Sequence, residues 1–300
     1  MLHESLLELS EAAPNCPNDR TARGILAESQ DLIRNAIEHE AKPQELVYWF
    51  SQLVTAVLHS EGVRNTVGGA RLILTGAIGR EDALPSSPIK WLAVHDTPVD
   101  TSPVHKLLSD VGLRPEATSF GLQSRPQGEW ADIISAADGP ELAVLADAGT
   151  WILDSVVRLD NHLPLLQEAI DRRPPAVIAR HGLPDREVSI DVRNDLLYPI
   201  IAIARWAGTA ANSVEFSTPA RIQAATAAGI LTPDQAGFLS QAWESGLQLQ
   251  FRRWTDRIDT QAATADLLPG IQRSVFGASC RQVAEVLRAL AAQHSLVYPA

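Results

Sequence analysis

The chain has little cysteine, lysine or long apolar sequence, and each shortage excludes something. Cys16 and Cys280 are its only cysteines. Two thiols leave no disulfide framework and no cysteine-rich zinc site, and they suit a reducing cytoplasm. The eight histidines are scattered at His3, His39, His59, His95, His105, His162, His181 and His294. No two stand four apart, as paired zinc ligands on one helical face would. No apolar run approaches the roughly 18 to 20 residues that span a bilayer, so no membrane partner is expected. The start, Met1-Leu2-His3-Glu4, has no basic region and brings acid early, unlike a signal peptide. Lys42, Lys90 and Lys106 are the only lysines, so nearly all positive charge is arginine. We read that usage as the mark of a GC-rich bacterial genome. Acids outnumber Lys plus Arg by 36 to 25, for a formal net charge of −11. That sign disfavours a non-specific grip on nucleic acid. Neither internal repeats nor low-complexity segments occur.

What is present is an ordinary globular composition. The 300 residues are 45% hydrophobic and 20% charged, enough to fill one large core or two ordinary ones. Three stretches differ in pattern, and the expected domains are 1–62, 63–184 and 185–300. In the first, Leu26, Ile33 and Ile37 recur at helical spacing. Pro43 then opens a second helix, with Leu46, Phe50, Leu53, Val54, Val57 and Leu58 on one face and Glu61-Gly62 as its end. An antiparallel helix pair packing on the next domain is expected.

The second stretch carries short apolar runs among loop signals. Arg71–Thr75, bounded by Gly68-Gly69 and Gly76, reads as a buried strand. Trp91–Val94 reads as a second strand and Trp151–Val157 as a third. Strands this scattered among helices predict an α+β fold, about two-thirds helical, with a small mixed sheet. The third stretch reads as a helical bundle. Leu196, Leu197, Ile200, Ile201, Ile203 and Ala204 make a buried helix. Thr218-Pro219 and Thr232-Pro233-Asp234-Gln235 read as helix starts with threonine caps, and Gly229 as a helix end. A last amphipathic helix is expected over 279–293.

One segment suggests chemistry: Gly76-Ala77-Ile78-Gly79-Arg80-Glu81-Asp82, directly after the first strand. Glycines between a strand and a helix let backbone N–H groups approach a phosphate, although most such junctions are merely tight turns. Other constellations offer less. Ser86 and Ser87 have no nucleophile-elbow context. Neighbours such as His95-Asp96 on a strand face opposite ways. Arg252-Arg253-Trp254 lies in an amphipathic pattern that predicts a core tryptophan and rim arginines.

With these residues the chain resembles bacterial nucleotidyltransferases related to the PII-protein uridylyltransferase. Those proteins join a polymerase-β-type nucleotidyltransferase domain to a helical substrate-binding domain. Their signature is Gly-Ser-x-Gly-Arg-x-Glu, then Ser/Thr-Asp-x-Asp on the next strand. Gly76, Gly79 and Arg80 match it, with Ala77 at the serine and Asp82 at the glutamate. Later segments resemble the family's helical domain in order: Ile190–Arg193, Tyr198–Arg205, Ser217–Ile222, Ala228–Thr232 and Leu249–Arg252. The resemblance implies nucleotide-binding positions at Gly76, Ala77, Gly79, Arg80 and Lys90, and catalytic acids at Asp82 and Asp154. The family's two metal-holding carboxylates would fall at Pro88 and Lys90. Proline cannot ligate a metal and lysine repels one, so the expected metal ligands number none. Asp96 and Asp100 lie past the strand end as weak substitutes.

The resemblance therefore implies a degenerate nucleotidyltransferase-like protein acting as a nucleotide-binding or regulatory module. Its expected partners are a nucleoside triphosphate and a protein bound through the helical domain. Two alternatives stand beside it: an active transferase using Mg²⁺ to modify a protein or small acceptor, and a purely structural interaction module. For the charged residues, Lys90 and Arg80 could neutralise a phosphate without metal. Equally, Lys90 could face solvent while Arg80 pairs with Glu81 or Asp82 at the surface.

Overall fold

The computed structural model describes residues 3–176, 179–180, 183–184, 187–257 and 264–299. Met1, Leu2, His181 and residue 185, to which expectations attach above, lie outside them. In chain order the first elements are α1 (Glu4–Ala12), α2 (Asp19–Glu38), α3 (Pro43–His59), α4 (Glu61–Thr66), β1 (Arg71–Thr75) and α5 (Gly76–Gly79). There follow β2 (Pro88–Val94), α6 (Ser102–Asp110), β3 (Arg114–Pro115), α7 (Gln127–Ala136), α8 (Gly139–Ala146) and α9 (Trp151–Val157). Then come α10 (Leu163–Asp171), β4 (Ala179–Arg180), β5 (Leu183–Pro184), a π-type turn at Arg193–Leu197, and α11 (Tyr198–Ala210). The last three helices are α12 (Thr218–Ala227), α13 (Pro233–Thr255) and α14 (Gly270–Gln293). The fold is mostly helical α+β: 64% helix with a three-stranded mixed sheet. No helix among the described residues is long and apolar enough to cross a membrane.

Two compact units result: Met1–Ala137 with Val144–Leu159, and Asp138–Ala143 with Asp160–Ala300. In the first, the sheet order is β1-β2-β3. The β1–β2 pair is antiparallel, with Thr75 opposite Lys90, and β3 adds in parallel through Pro88↔Arg114 and Ile89↔Pro115. Pro88 can start the central strand because a first position need not donate to the ladder. The α2–α3 helix pair forms as its apolar spacing predicts, and Trp49 Nε1 donates to the Leu6 carbonyl at 2.9 Å, tying in α1. α3 ends at His59. Glu61-Gly62 instead begins α4, where the Gly62 N–H donates to the Cys16 carbonyl at 2.9 Å.

Trp151–Val157 is a helix, not the third strand expected from its β-branched run. Its buried residues are Ile152, Leu153, Val156 and Val157, a helical spacing. Thr150 caps it, its hydroxyl accepting from the Ile152 N–H at 3.4 Å. The sheet's third strand is the two-residue β3, too short to leave a pattern in the sequence.

In the second unit α11 is the central helix, with every residue from Pro199 to Thr209 buried, and it packs on α10, α12, α13 and α14. Arg205 is buried along it because Glu168 of α10 accepts from it at 3.2 Å. Thr232 caps α13 in a complete capping box with Gln235. α12 is capped by Ser217 rather than Thr218: its Oγ accepts from the Ala220 N–H at 3.3 Å, and Thr218 is the first helical residue. Gly229 follows the end of α12 at φ +73, the left-handed geometry of a helix stop. α14 starts nine residues before the expected 279. Arg273, Phe276, Gly277 and Cys280 continue its buried stripe toward the N-terminus, through a Gly- and Ser-rich segment whose propensity hid it.

Candidate functional site

The β1–α5–β2 turn sits within the first unit. β1 ends at Thr75, whose hydroxyl donates to the Val144 carbonyl. Gly76 then takes φ +64, which opens the single turn of α5 and which L side chains rarely adopt. Gly79 has a different reason to be glycine. A Cβ there would lie 2.1 Å from the Asp147 carbonyl oxygen and 2.6 Å from that of Leu74. The turn closes with the Arg80 N–H on the Gly76 carbonyl and the Asp82 N–H on the Ala77 carbonyl, each at 3.0 Å. The Ala83 N–H donates to Ser51 Oγ on α3 at 3.1 Å, holding the chain that leaves the turn.

Arg80 points inward and is 3% exposed. Its Nε and Nη2 donate to the two oxygens of Asp82 at 3.0 and 3.1 Å, a bidentate fork, and its Nη1 donates to Asp147. Both carboxylates are buried as well. The pairing with Asp82 was one of the two readings of Arg80, but it occurs in the interior rather than at the surface. Low dielectric strengthens a pair of this geometry and makes it costly to break. Asp147 is the residue that sequence reasoning missed. It lies 67 positions from Arg80, and no local motif marks it.

Lys90 stands across from Thr75, and its Cδ would be 3.8 Å from a Cβ on Gly76. Its ammonium is 2.6 Å from Glu116 Oε1, so it borders the turn while held by a half-exposed acid just past β3. Gly76, Ala77 and Gly79 are half-buried, and Pro88 is buried. Glu81 accepts from Gln52 of α3. Burial pushes its carboxyl up; the Gln52 hydrogen bond opposes that shift, and repulsion from Asp82 adds to it. Asp154 lies on α9 and pairs with Arg158 at 2.7 Å on an open face. Asp100 accepts from the Ser102 N–H at 2.9 Å and from the Ser102 hydroxyl at 2.6 Å, at the start of α6, and these bonds lower its pKa. The structure thus brings together Gly76, Ala77, Gly79, Arg80, Asp82 and Lys90 around one turn. It puts Asp154 on a helix rather than on the strand assumed above. Among the described residues no three His, Cys, Asp or Glu side chains gather as a metal-holding group.

Residues 165–294, from α10 to the end of α14, match the family model described as "Putative nucleotidyltransferase substrate binding domain". The helical unit is thus similar to that domain. A search of curated proteins finds no match.

Proposed function

We propose that this protein is a nucleotidyltransferase-like module, of the group related to PII-protein uridylyltransferase, that binds a nucleotide or regulates a partner without metal-dependent transfer. The observation carrying this reading is the commitment of Asp82. Both of its oxygens accept from a buried arginine that is itself clasped by a second carboxylate. A transfer centre of this type needs hard oxygen ligands free to hold a divalent cation against a triphosphate. Mg²⁺ does not fit the residues present: Asp82 is neutralised in place, Pro88 offers no donor, and Lys90 adds a cation.

What remains suits binding. Gly76 and Ala77 are half-buried, and the Lys90 side chain passes 3.8 Å from the Cβ position of Gly76, so a phosphate at the turn would draw its ammonium from Glu116. Arg80 serves by holding the turn in shape. The match of the second unit to a substrate-binding domain supports a recognition role for the helices.

Calorimetric titration with each nucleoside triphosphate, with and without Mg²⁺ or Mn²⁺, tests this. We expect binding indifferent to metal, weakened by Lys90→Met, and no incorporation of labelled nucleotide into protein or small acceptors. Robust incorporation that Asp82→Asn or Asp154→Asn abolishes would promote the active enzyme. No heat and no thermal stabilisation with any nucleotide would favour the pure interaction module.

A further inference from the structure

Arg80, Arg205, Arg221 and Arg253 are all almost wholly buried. The first three have oxygen partners: Asp82 and Asp147, Glu168, and the Glu215 carbonyl. Arg253 of α13 differs. It is 1% exposed, and among the described residues nothing hydrogen-bonds its Nε, Nη1 or Nη2. This overturns the rim position expected for it; Arg252, its neighbour, is the exposed one. Burial pushes the guanidinium of Arg253 down from the ordinary arginine range, and the charge of Asp191 pushes back. Asp191 is no ion-pair partner. Its oxygens accept from the N–H groups of Arg193 and Asn194 and from Asn194 Nδ2, closing the turn before α11. A buried guanidinium that no described residue hydrogen-bonds, with a carboxylate acting on it only through space, is unfavourable unless something else engages its N–H groups.

Two further orphaned groups belong to the same end of the α13–α14 hairpin. Gln250 is 2% exposed, lies one turn before Arg253 on the same helical face, and its Oε1 has no donor among the described residues. Arg273 of α14 is 7% exposed, and among the described residues its Nε has no acceptor. Their placement follows from the contacts of the turn before α11. Gly246 of α13 packs on Leu196 and Leu197, and Cys280 Sγ of α14 lies 3.7 Å from the Asp195 carbonyl oxygen. The Ala265 N–H, ahead of α14, donates to the Val188 carbonyl at 2.9 Å. Arg253 and Arg273 are each two helical turns from that Asp195–Leu197 level, toward the 188–191 segment.

We propose that Arg253, Arg273 and Gln250 form the seat of a small phosphate monoester in the helical unit. Its anionic oxygens engage the two guanidinium groups, and a neighbouring hydroxyl donates to Gln250 Oε1. Two guanidinium groups present more N–H donors than the two oxygens of a single carboxylate can accept from, and the three anionic-face oxygens of a phosphate monoester, a dianion near neutral pH, match them better. The planar forks suit phosphate oxygens. Gln250 adds a requirement that inorganic phosphate meets poorly and a sugar phosphate meets well. This seat stands on its own residues and not on the reading of the β1–α5 turn.

Thermal unfolding and calorimetry of the full chain, without divalent metal, test the seat with three probes: inorganic phosphate, ribose 5-phosphate and ribose. Both phosphates should bind and raise Tm, ribose 5-phosphate more strongly, and ribose should do neither. Arg253→Met keeps the volume and removes the charge. It should raise Tm of the unliganded protein and weaken ribose 5-phosphate binding about 10- to 100-fold. Gln250→Leu should bring ribose 5-phosphate down to the affinity of inorganic phosphate, and Arg252→Met should change nothing. No response of the unaltered protein to either phosphate overturns the proposal. So does a lowered Tm in unliganded Arg253→Met, since the guanidinium would then have an internal partner. An equal loss of binding in Arg252→Met does so too. Ribose 5-phosphate is no triphosphate, so failure here leaves the nucleotide titrations of the turn standing.

Discussion

Burial decides what an arginine does in this chain. Arg158 and Asp154 pair at 2.7 Å in the open, where water screens the attraction and side-chain entropy opposes it. Arg80 makes the same kind of contact at 3% exposure, with two carboxylates. Removing it would leave Asp82 and Asp147 facing each other in low dielectric. Arg80→Met should therefore lower unfolding stability by roughly 3 to 5 kcal/mol, read from urea titration, whereas Arg158→Met should stay within about 0.5 kcal/mol. Equal, small effects of the two would mean that the interior triad is not what holds the turn. The glycines divide the same way: Gly76 supplies a left-handed backbone angle, and Gly79 supplies room against the carbonyls of Leu74 and Asp147.

Elements follow their ends and faces more than their composition. α13 begins where a threonine, a proline and a glutamine three positions after the threonine say it should, because the capping box is a local device. For α12, two adjacent hydroxyl residues competed. Ser217 took the cap and Thr218 entered the helix, with Pro219 still within the first turn, where its missing N–H costs nothing. Ser217→Ala and Thr232→Ala should each cost about 1 kcal/mol by denaturant titration. Adding Gln235→Ala to Thr232→Ala should cost more than Thr232→Ala alone, since each change removes one bond of the reciprocal pair. α9 shows the other side of the rule. Its β-branched residues favour a strand on composition, but burial at 152, 153, 156 and 157 is a helical stripe.

The whole molecule carries one cysteine in each compact unit, both 1% exposed. Desolvation raises the thiol pKa of Cys16, partly opposed by Ser60. It raises that of Cys280 further, with the charge of Asp195 adding to the shift and Arg281 opposing it. Thiolate is the reactive species, so both cysteines should resist iodoacetamide at pH 8 in the native protein. In rising urea each should label as its own unit opens, with the site resolved by mass spectrometry. Rapid native labelling of Cys280 would contradict the packing of α14 against the Asp195 turn. Because the two thiols report separately, the same experiment reads the opening of each unit without dissecting the chain.

Much of the local architecture was legible in the residues alone. An apolar run between glycines marked β1 to its end residues and a second apolar run marked β2 to within three, unbroken hydrophobicity marked α11 as buried, and Thr232–Gln235 marked a helix start. Each signal lies within four or five positions of what it specifies, so backbone geometry and side-chain periodicity suffice to read it. The tertiary structure alone decided the charges. That Arg80 would turn inward to Asp147, that Lys90 would lean on Glu116, and that Arg253 would be enclosed while Arg252 stayed outside depend on which distant segment meets each side chain. Electrostatic pairing acts through space between residues far apart in the chain, and burial sets its strength, so no pattern along the sequence encodes it.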